Sequence, residues 1–284
     1  MALMAGYFRT SYGNFRATEN QAVSPSDYGN YCITVPVDPR VGSLNGSQVC
    51  GFHDISPAQF GKSLNVVTSA DKFGGQSEVF NGVDIGVNAR YGHGGLLNGG
   101  VSMGETVTDT CAIQNNYPNV NTSNAPAQFC HVVSPFFSST QVKVGASYPL
   151  PWWGLQASLT YQNQPGLRYN TSYVATNAEI SRSLGRNIGS CGTAATCTTT
   201  VTLVNALYAQ NAEAEARFNQ LDLRFTKILK VGTFRLRGNF DIYNVFNAAT
   251  ILSETTTYNP SNTYLRPTSI LGARMFKFGV NVDF

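Results

Sequence analysis

Apolar and polar side chains alternate with a period of two along much of this chain. In the last segment Phe276, Phe278, Val280, Val282 and Phe284 alternate with Met275, Lys277, Gly279, Asn281 and Asp283. One face is apolar and the other almost wholly polar, the signature of a strand. The same alternation sets Phe234, Leu236, Phe240 and Ile242 against Arg235, Arg237, Asn239, Asp241 and Tyr243, and Leu221, Leu223 and Phe225 against Asp222, Arg224 and Thr226. It recurs in Leu155–Gln162, Gln141–Tyr148, Leu97–Met103 and Val83–Tyr91. A first segment, Tyr7 to Thr18, is less regular but rich in aromatic and β-forming residues. The pattern predicts eight strands. Asn205 to Ala216 has helical propensity and predicts a helix inside a connection.

The predicted connections alternate between short and long. Tyr91–Gly95, Pro149–Gly154 and Lys230–Thr233 are short and carry Gly or Pro turn chemistry. The long ones run roughly from Gln21 to Gly75, Asp109 to Phe137, Tyr169 to Phe218 and Asn247 to Leu271. Short turns at one end and long loops at the other are the habit of transmembrane barrels. The expectation is an all-β, antiparallel transmembrane β-barrel segment of about eight strands, with short periplasmic turns and long extracellular loops. The polar faces hold charges of both signs, Arg235, Arg237 and Asp241, Asp222 and Arg224, Asp84 and Arg90, which suits a hydrated lumen. Aromatics at strand ends (Tyr91, Tyr148 with Trp152 and Trp153, Tyr243 with Phe246) suit interfacial girdles.

Composition narrows the alternatives. Only 12% of the 284 residues are charged, about half the usual share, while the hydrophobic fraction is 42% and 12% are aromatic. The composition argues against disorder, because disordered chains are charge-rich and aromatic-poor. No apolar stretch reaches the roughly 18 residues of a membrane helix. With 19 basic and 16 acidic residues there is no field to hold nucleic acid. The opening residues, Met1 to Thr10, lack the features of a signal peptide.

The last eight residues, Lys277-Phe-Gly-Val-Asn-Val-Asp-Phe284, resemble the C-terminal signal read by the outer-membrane barrel-assembly machinery, with Lys277, Gly279, Val282 and Phe284 in its four positions. Asp241-Ile-Tyr-Asn-Val-Phe-Asn247 is similar to a stretch near the end of TonB-dependent outer-membrane receptors, and Asn219–Lys227 resembles the strand before it. Arg266–Gly279 resembles the closing strand of their Oar-like branch, in which a carboxypeptidase-regulatory-like domain precedes plug and barrel; Tyr7–Phe15 and Asp54–Pro57 fit the same branch. The resemblance implies the C-terminal part of a nutrient receptor in the outer membrane of a Gram-negative bacterium. Residues 1–284 would be a fragment of a barrel of about 22 strands, with plug, TonB box and signal peptide absent. Its implied partners are outer-membrane lipid, the assembly machinery, the rest of its own barrel and plug, and TonB through the missing plug.

All six cysteines fall in the long connections. Each of three connections holds two, which favours Cys32 with Cys50, Cys111 with Cys130 and Cys191 with Cys197 among fifteen possible pairings. No Cys-x-x-Cys occurs, and His53, His93 and His131 do not repeat at ligand spacing, so neither metal nor cofactor is expected. No hydrolase, metalloprotease or phosphate-binding motif is present, and no catalytic residue is expected; Gly92–Gly95 reads as a tight turn. Tyr, Asn and Trp in the loops suit sugar or peptide recognition by stacking and hydrogen bonding, and suit a solvated loop equally; the ligand stays unassigned. Two other readings fit the pattern: a complete eight-stranded barrel acting as adhesin or structural surface protein, and a secreted β-sandwich binding module.

Overall fold

A computed structural model describes residues 1–120, 125–208, 214–258 and 263–283. Its centre is one antiparallel sheet of eight consecutive strands: β1 (Ala2–Tyr12), β2 (Ser77–Tyr91), β3 (Gly95–Asp109), β4 (Gln141–Pro149), β5 (Leu155–Gln164), β6 (Phe218–Val231), β7 (Phe234–Tyr243) and β8 (Met275–Asp283). Each pairs with the next in sequence, and the short strand His131–Ser134 adds to the far end of β3. Among the described residues β1 and β8 do not pair, so the sheet is not closed into a barrel.

Register carries the alternation across all eight strands without a slip. Tyr7 lies opposite Val83, Val83 opposite Met103, Leu97 opposite Ala146, and Ala146 opposite Leu159. Leu159 then meets Leu223, Leu223 meets Ile242, and Ile242 meets Phe276. One residue of slip anywhere would turn a strand's apolar set to the other side, so the pairing unites eight separate patterns into one apolar face. The polar face is hollowed over β1 to β5. Gly82 and Gly104 lie opposite each other there, and the ring of Phe80 lies over them where side chains would collide with it.

The eight predicted strands all form, but several boundaries move. The first strand is not Tyr7 to Thr18: β1 begins at Ala2 and stops at Tyr12, because Asn14 adopts a left-handed backbone (φ 56°). Arg16–Asn20 then turns away to pair with Asn65–Ser69. β2 and β3 run to 15 residues each, beyond the 9–11 a bilayer requires. The predicted helix of Asn205 to Ala216 is not present over its described part: Asn205 has φ 54°, and its amide bonds the Thr171 carbonyl. Residues 209–213 lie outside the described residues. Among the described residues the α-helices are α1 (Cys111–Asn116) and α2 (Asn177–Leu184). α2 starts with a capping box: Thr176 Oγ1 accepts the Glu179 amide at 3.3 Å, and Glu179 accepts the Thr176 amide at 2.7 Å.

The turns at one edge of the sheet are short, as expected. Gly92 and Gly94 take positive φ in the first, Trp153 and Gly154 in the second, Gly232 in the third. The long connections leave the opposite edge, and they are not merely solvated loops. They fold together into a cap with its own core: Tyr31, Ile33, Val35, Val41, Val49 and Phe52 from the first, Tyr173, Ala175, Ile180, Ile188, Leu203 and Leu207 from the third, Tyr258 and Tyr264 from the fourth. A smaller cluster joins Ala17, Ala70 and Phe73 to Ile113 and Val120 of the second connection. Every fully buried hydrophobic side chain among the described residues belongs to this cap, and none to the eight strands.

Candidate functional site: the concave polar face and its cap

On the polar face near β1–β5 the side chains are small or uncharged, which leaves an open concavity of about 1160 Å³. Gly6, Gly86, Gly100 and Gly145 form its floor, with hydroxyls and amides of Ser102, Ser147, Ser158, Thr160, Asn98 and Gln162 around them. Its charges are Asp84, which accepts a hydrogen bond from Ser102 Oγ, and Lys143. Met4 and Phe8 supply apolar surface at the β1 side. Such a lining sets neutral hydrogen-bonding groups within a larger apolar surface and carries little net charge.

Across β6–β8 the same face is a ladder of matched polar pairs. Arg224 grips Asp241 with two hydrogen bonds, Nε to Oδ1 at 2.5 Å and Nη2 to Oδ2 at 3.0 Å. Arg237 reaches Asp283 at 2.9 Å. Thr226, Asn239 and Asn281 form a transverse chain with links of 2.9 and 3.0 Å. Asp222 accepts from Gln220 on its own strand and from the Asn244 amide at 2.8 Å. Cross-strand ion pairs on this face therefore join Arg224 with Asp241 and Arg237 with Asp283. At the cap edge Arg217 donates to Asn163 Oδ1 at 2.6 Å and to the Thr140 carbonyl, tying β4, β5 and β6 together.

The cap is joined by contacts between distant segments. Asp54 accepts Arg186 Nη1 at 2.6 Å and the Gly189 amide at 2.9 Å, while its own carbonyl takes Arg186 Nη2. Burial pushes the Asp54 carboxyl above its usual range, with Arg186 and Gly189 opposing. Asp38 holds Arg40 at 2.6 Å and accepts the Tyr258 hydroxyl at 3.2 Å; the Arg40 hydrogen bonds hold its carboxyl well below the usual range. The Arg40 guanidinium lies 5.7 Å from the Tyr264 ring centre, and Tyr208 donates to the Arg40 carbonyl. Burial lowers the His53 imidazole, whose Nε2 meets the Gln114 carbonyl. Glu254 is pushed up to about 7 by burial and by the neighbouring Glu215 carboxylate.

The residues singled out in sequence fall as follows. Lys277 and Gly279 lie on the polar face of β8 opposite Asp241 and Asn239, and Val282 lies on its apolar face opposite Leu236; Phe284 lies outside the described residues. These are positions along one edge strand and do not gather into a pocket. Cys32–Cys50, Cys111–Cys130 and Cys191–Cys197 are disulfides. The loop tyrosines offered for ligand stacking are a correction: Tyr31, Tyr173, Tyr208, Tyr258 and Tyr264 are buried in the cap core. Trp152 and Trp153 are exposed, but in a short turn at the opposite edge, near the stacked Tyr91 and Tyr148 rings 5.6 Å apart. The Asp54–Arg186 and Asp38–Arg40–Tyr258 clusters were not anticipated. The cue for the second was Asp38-Pro39-Arg40, in which an Asp side chain bonds the backbone two residues on. The first joins residues 132 apart and left no local cue. No protein-family model matches the chain, and no curated protein matches it.

Proposed function

We propose that the eight strands are part of the wall of an outer-membrane β-barrel, with the cap as its extracellular vestibule, in a receptor of the TonB-dependent kind that admits a nutrient. The observation that carries this reading is the location of the core. A sheet stable in water buries its apolar face; here that face is bare, with Phe278 at 78% exposure and Val280 at 72%. Eight strands about 4.8 Å apart, with apolar rows about 20 Å tall, make a patch on the order of 750 Å². The largest patch on a typical soluble monomer is roughly 300–600 Å². Lipid is the solvent that such a face requires. The polar concave face then lines the path, and its hydroxyls and amides suit a neutral polar solute. Outer-membrane lipid, the assembly machinery, and further strands and a plug of the same receptor are the partners in this reading, with TonB acting through the plug.

A complete eight-stranded barrel is the second reading, favoured by parity: β1 and β8 run in opposite directions, so their free edges could pair directly. The sandwich reading has no such support, since no second sheet covers the apolar face among the described residues.

The orientation of the sheet is tested by fluorescence quenching. Phe278→Trp, in a background with Trp152 and Trp153 changed to Phe, is expected to be quenched by brominated lipids in reconstituted membranes, and Thr160→Trp on the polar face is expected to be quenched by an aqueous quencher instead. Equal lipid quenching at both positions would overturn the proposal.

A further inference from the structure

On the polar face of β2 and β3, Gly82 lies opposite Gly104, and Gly86 lies opposite Gly100 four residues further along β2. At the first pair the Phe80 ring lies flat across both glycines: a Cβ at either would stand between 2.5 and 2.7 Å from its carbons. At the second pair no ring is among the nearest atoms. A Cβ at Gly86 would meet Met4 Cε at 3.4 Å, and the nearest neighbours of one at Gly100 would be backbone atoms of Ile85 and Gly86. The open concavity of about 1160 Å³ lies over this second pair. Register surrounds it with side chains that line the same hollow. Met4 stands opposite Gly86 and Lys143 opposite Gly100. Asp84 and Ser102 form the next row towards the cap, and Asn98 stands in the next row towards the short turns. From the spacing of strands and residues in a sheet, each lies within roughly 5–7 Å of a glycine, Cα to Cα. Asp84 accepts from Ser102 Oγ, and among the described residues Asp84 and Lys143 enter no ion pair. Phe8 closes the β1 side, its ring folded over Gly6.

Phe80 on its glycine pair is an example, within this sheet, of a six-membered ring lying flat on such a floor. The bare pair offers the same seat, edged by a carboxylate, a hydroxyl, an amide and an ammonium. A hydrocarbon ring would leave that edge without partners. A pyranose brings a C–H face to the glycines and Met4, and a rim of hydroxyls that donate to Asp84 and Asn98 and accept from Lys143. It carries no net charge, which matches one acid and one base at the edge. We propose that Gly86 and Gly100 seat a hexose ring of a neutral oligosaccharide, held at its rim by Asp84, Asn98, Ser102 and Lys143. The hollow is larger than the roughly 300–1,000 Å³ of a usual small-molecule pocket, which leaves room for further rings beside the seated one. The proposal rests on the reading of the polar face as the path of the solute, and names the class of that solute.

Equilibrium dialysis of radiolabelled maltotriose, cellotriose and mannotriose against the full chain in reconstituted membranes reads the site, with trialanine as competitor. Saturable binding of at least one trisaccharide, not displaced by trialanine, is expected. Gly86→Val fills the seat and meets only the flexible end of Met4 and the Gly99 carbonyl near its Cβ, and is expected to abolish binding. Asp84→Asn and Lys143→Met are each expected to weaken it by roughly tenfold or more, as loss of a hydrogen bond to a charged group does. No saturable binding of any trisaccharide, or displacement by trialanine, overturns the site. So does wild-type affinity in Gly86→Val, or in both Asp84→Asn and Lys143→Met, and the latter pair decides even if Gly86→Val fails to fold. Lipid quenching of Phe278→Trp in the same membranes keeps the two readings apart: quenching without sugar binding overturns the seat alone, and binding without quenching overturns the wall alone.

Discussion

Substituting arginine for Val280 separates the two solvents that the sheet could face. Val280 lies on the apolar face near the middle of the nine-residue β8, is 72% exposed, and has Gly238 opposite, so a longer side chain meets no cross-strand side chain. If lipid covers the face, an arginine near the bilayer midplane costs about 2–4 kcal/mol, which is roughly a thirty- to a thousand-fold change in the folding equilibrium. If water covers it, an exposed substitution of this kind shifts stability by no more than about 0.5 kcal/mol. Thr160→Arg is the companion: it lies on the polar face opposite Asp222 and Gly145, and its expected cost is within about 0.5 kcal/mol in either solvent. The assay is guanidinium unfolding of the protein in outer-membrane vesicles. A Val280→Arg midpoint indistinguishable from wild type, or equal losses at both positions, would refute the membrane orientation.

The cap gives further tests. Replacing Cys32 and Cys50, 18 residues apart, is expected to cost the cap about 3 kcal/mol, and replacing Cys191 and Cys197, 6 apart, about 2 kcal/mol, from the loop lengths released; limited proteolysis of the cap reads the order, and equal sensitivity in both variants contradicts it. Asp38 has a folded-state value below its unfolded one, so the stability it contributes is present above about pH 4 and is lost as pH falls through the lower folded value. Asp38→Asn should therefore lower cap stability at neutral pH and flatten its acid dependence; an acid profile identical to wild type contradicts this. Asp54→Asn removes the charge facing Arg186 in a partly buried setting and is expected to destabilise the cap by about 2 kcal/mol, measured by hydrogen exchange at the Gly189 amide; unchanged protection there overturns the role. The unpaired edges of β1 and β8 predict that the chain refolded alone in detergent is heterogeneous, and a monodisperse, heat-modifiable monomer would favour the closed eight-stranded barrel.

The sheet was legible in sequence because its information is local. Alternation in Phe276–Val282 or Leu155–Tyr161 is visible within one segment, and the turns at Gly92–Gly94 and Gly232 carry their own glycines. The cap was not legible, for the opposite reason. Ile33, Ile188 and Tyr258 come from three different connections with no shared period, and meet only when the strands bring the loop ends together. Helix prediction failed in the same region. Asn205–Tyr208 is rich in helix formers, but burial of Ala206, Leu207 and Tyr208 in the cap core overrides propensity. The helix that forms nearby, α2, carried a legible signal at its start, the Thr176…Glu179 capping box.

The scarcity of charge follows from this division of labour. A soluble domain spends charged residues on the water-facing side of every element, whereas here one face of an eight-stranded sheet is mainly apolar, with Arg9, Glu105 and Lys227 among its few charges. The opposite face pairs Arg224 with Asp241 and Arg237 with Asp283, and elsewhere carries many hydroxyls, amides and glycines. The ordinary hydrophobic fraction of 42% hides two unrelated populations. One is packed inside the cap, where Val35, Val41, Ile180 and Leu207 are buried as in any water-soluble core. The other lies bare on the sheet, where Leu3, Phe225, Phe278 and Val282 have no protein to pack against on their outer side. Composition alone averages the two; register and burial separate them. A chain that builds a core in its loops while leaving the apolar face of its largest sheet uncovered has a core in its loops alone, and that asymmetry is the observation behind the proposal that the sheet lies in lipid with the cap outside it.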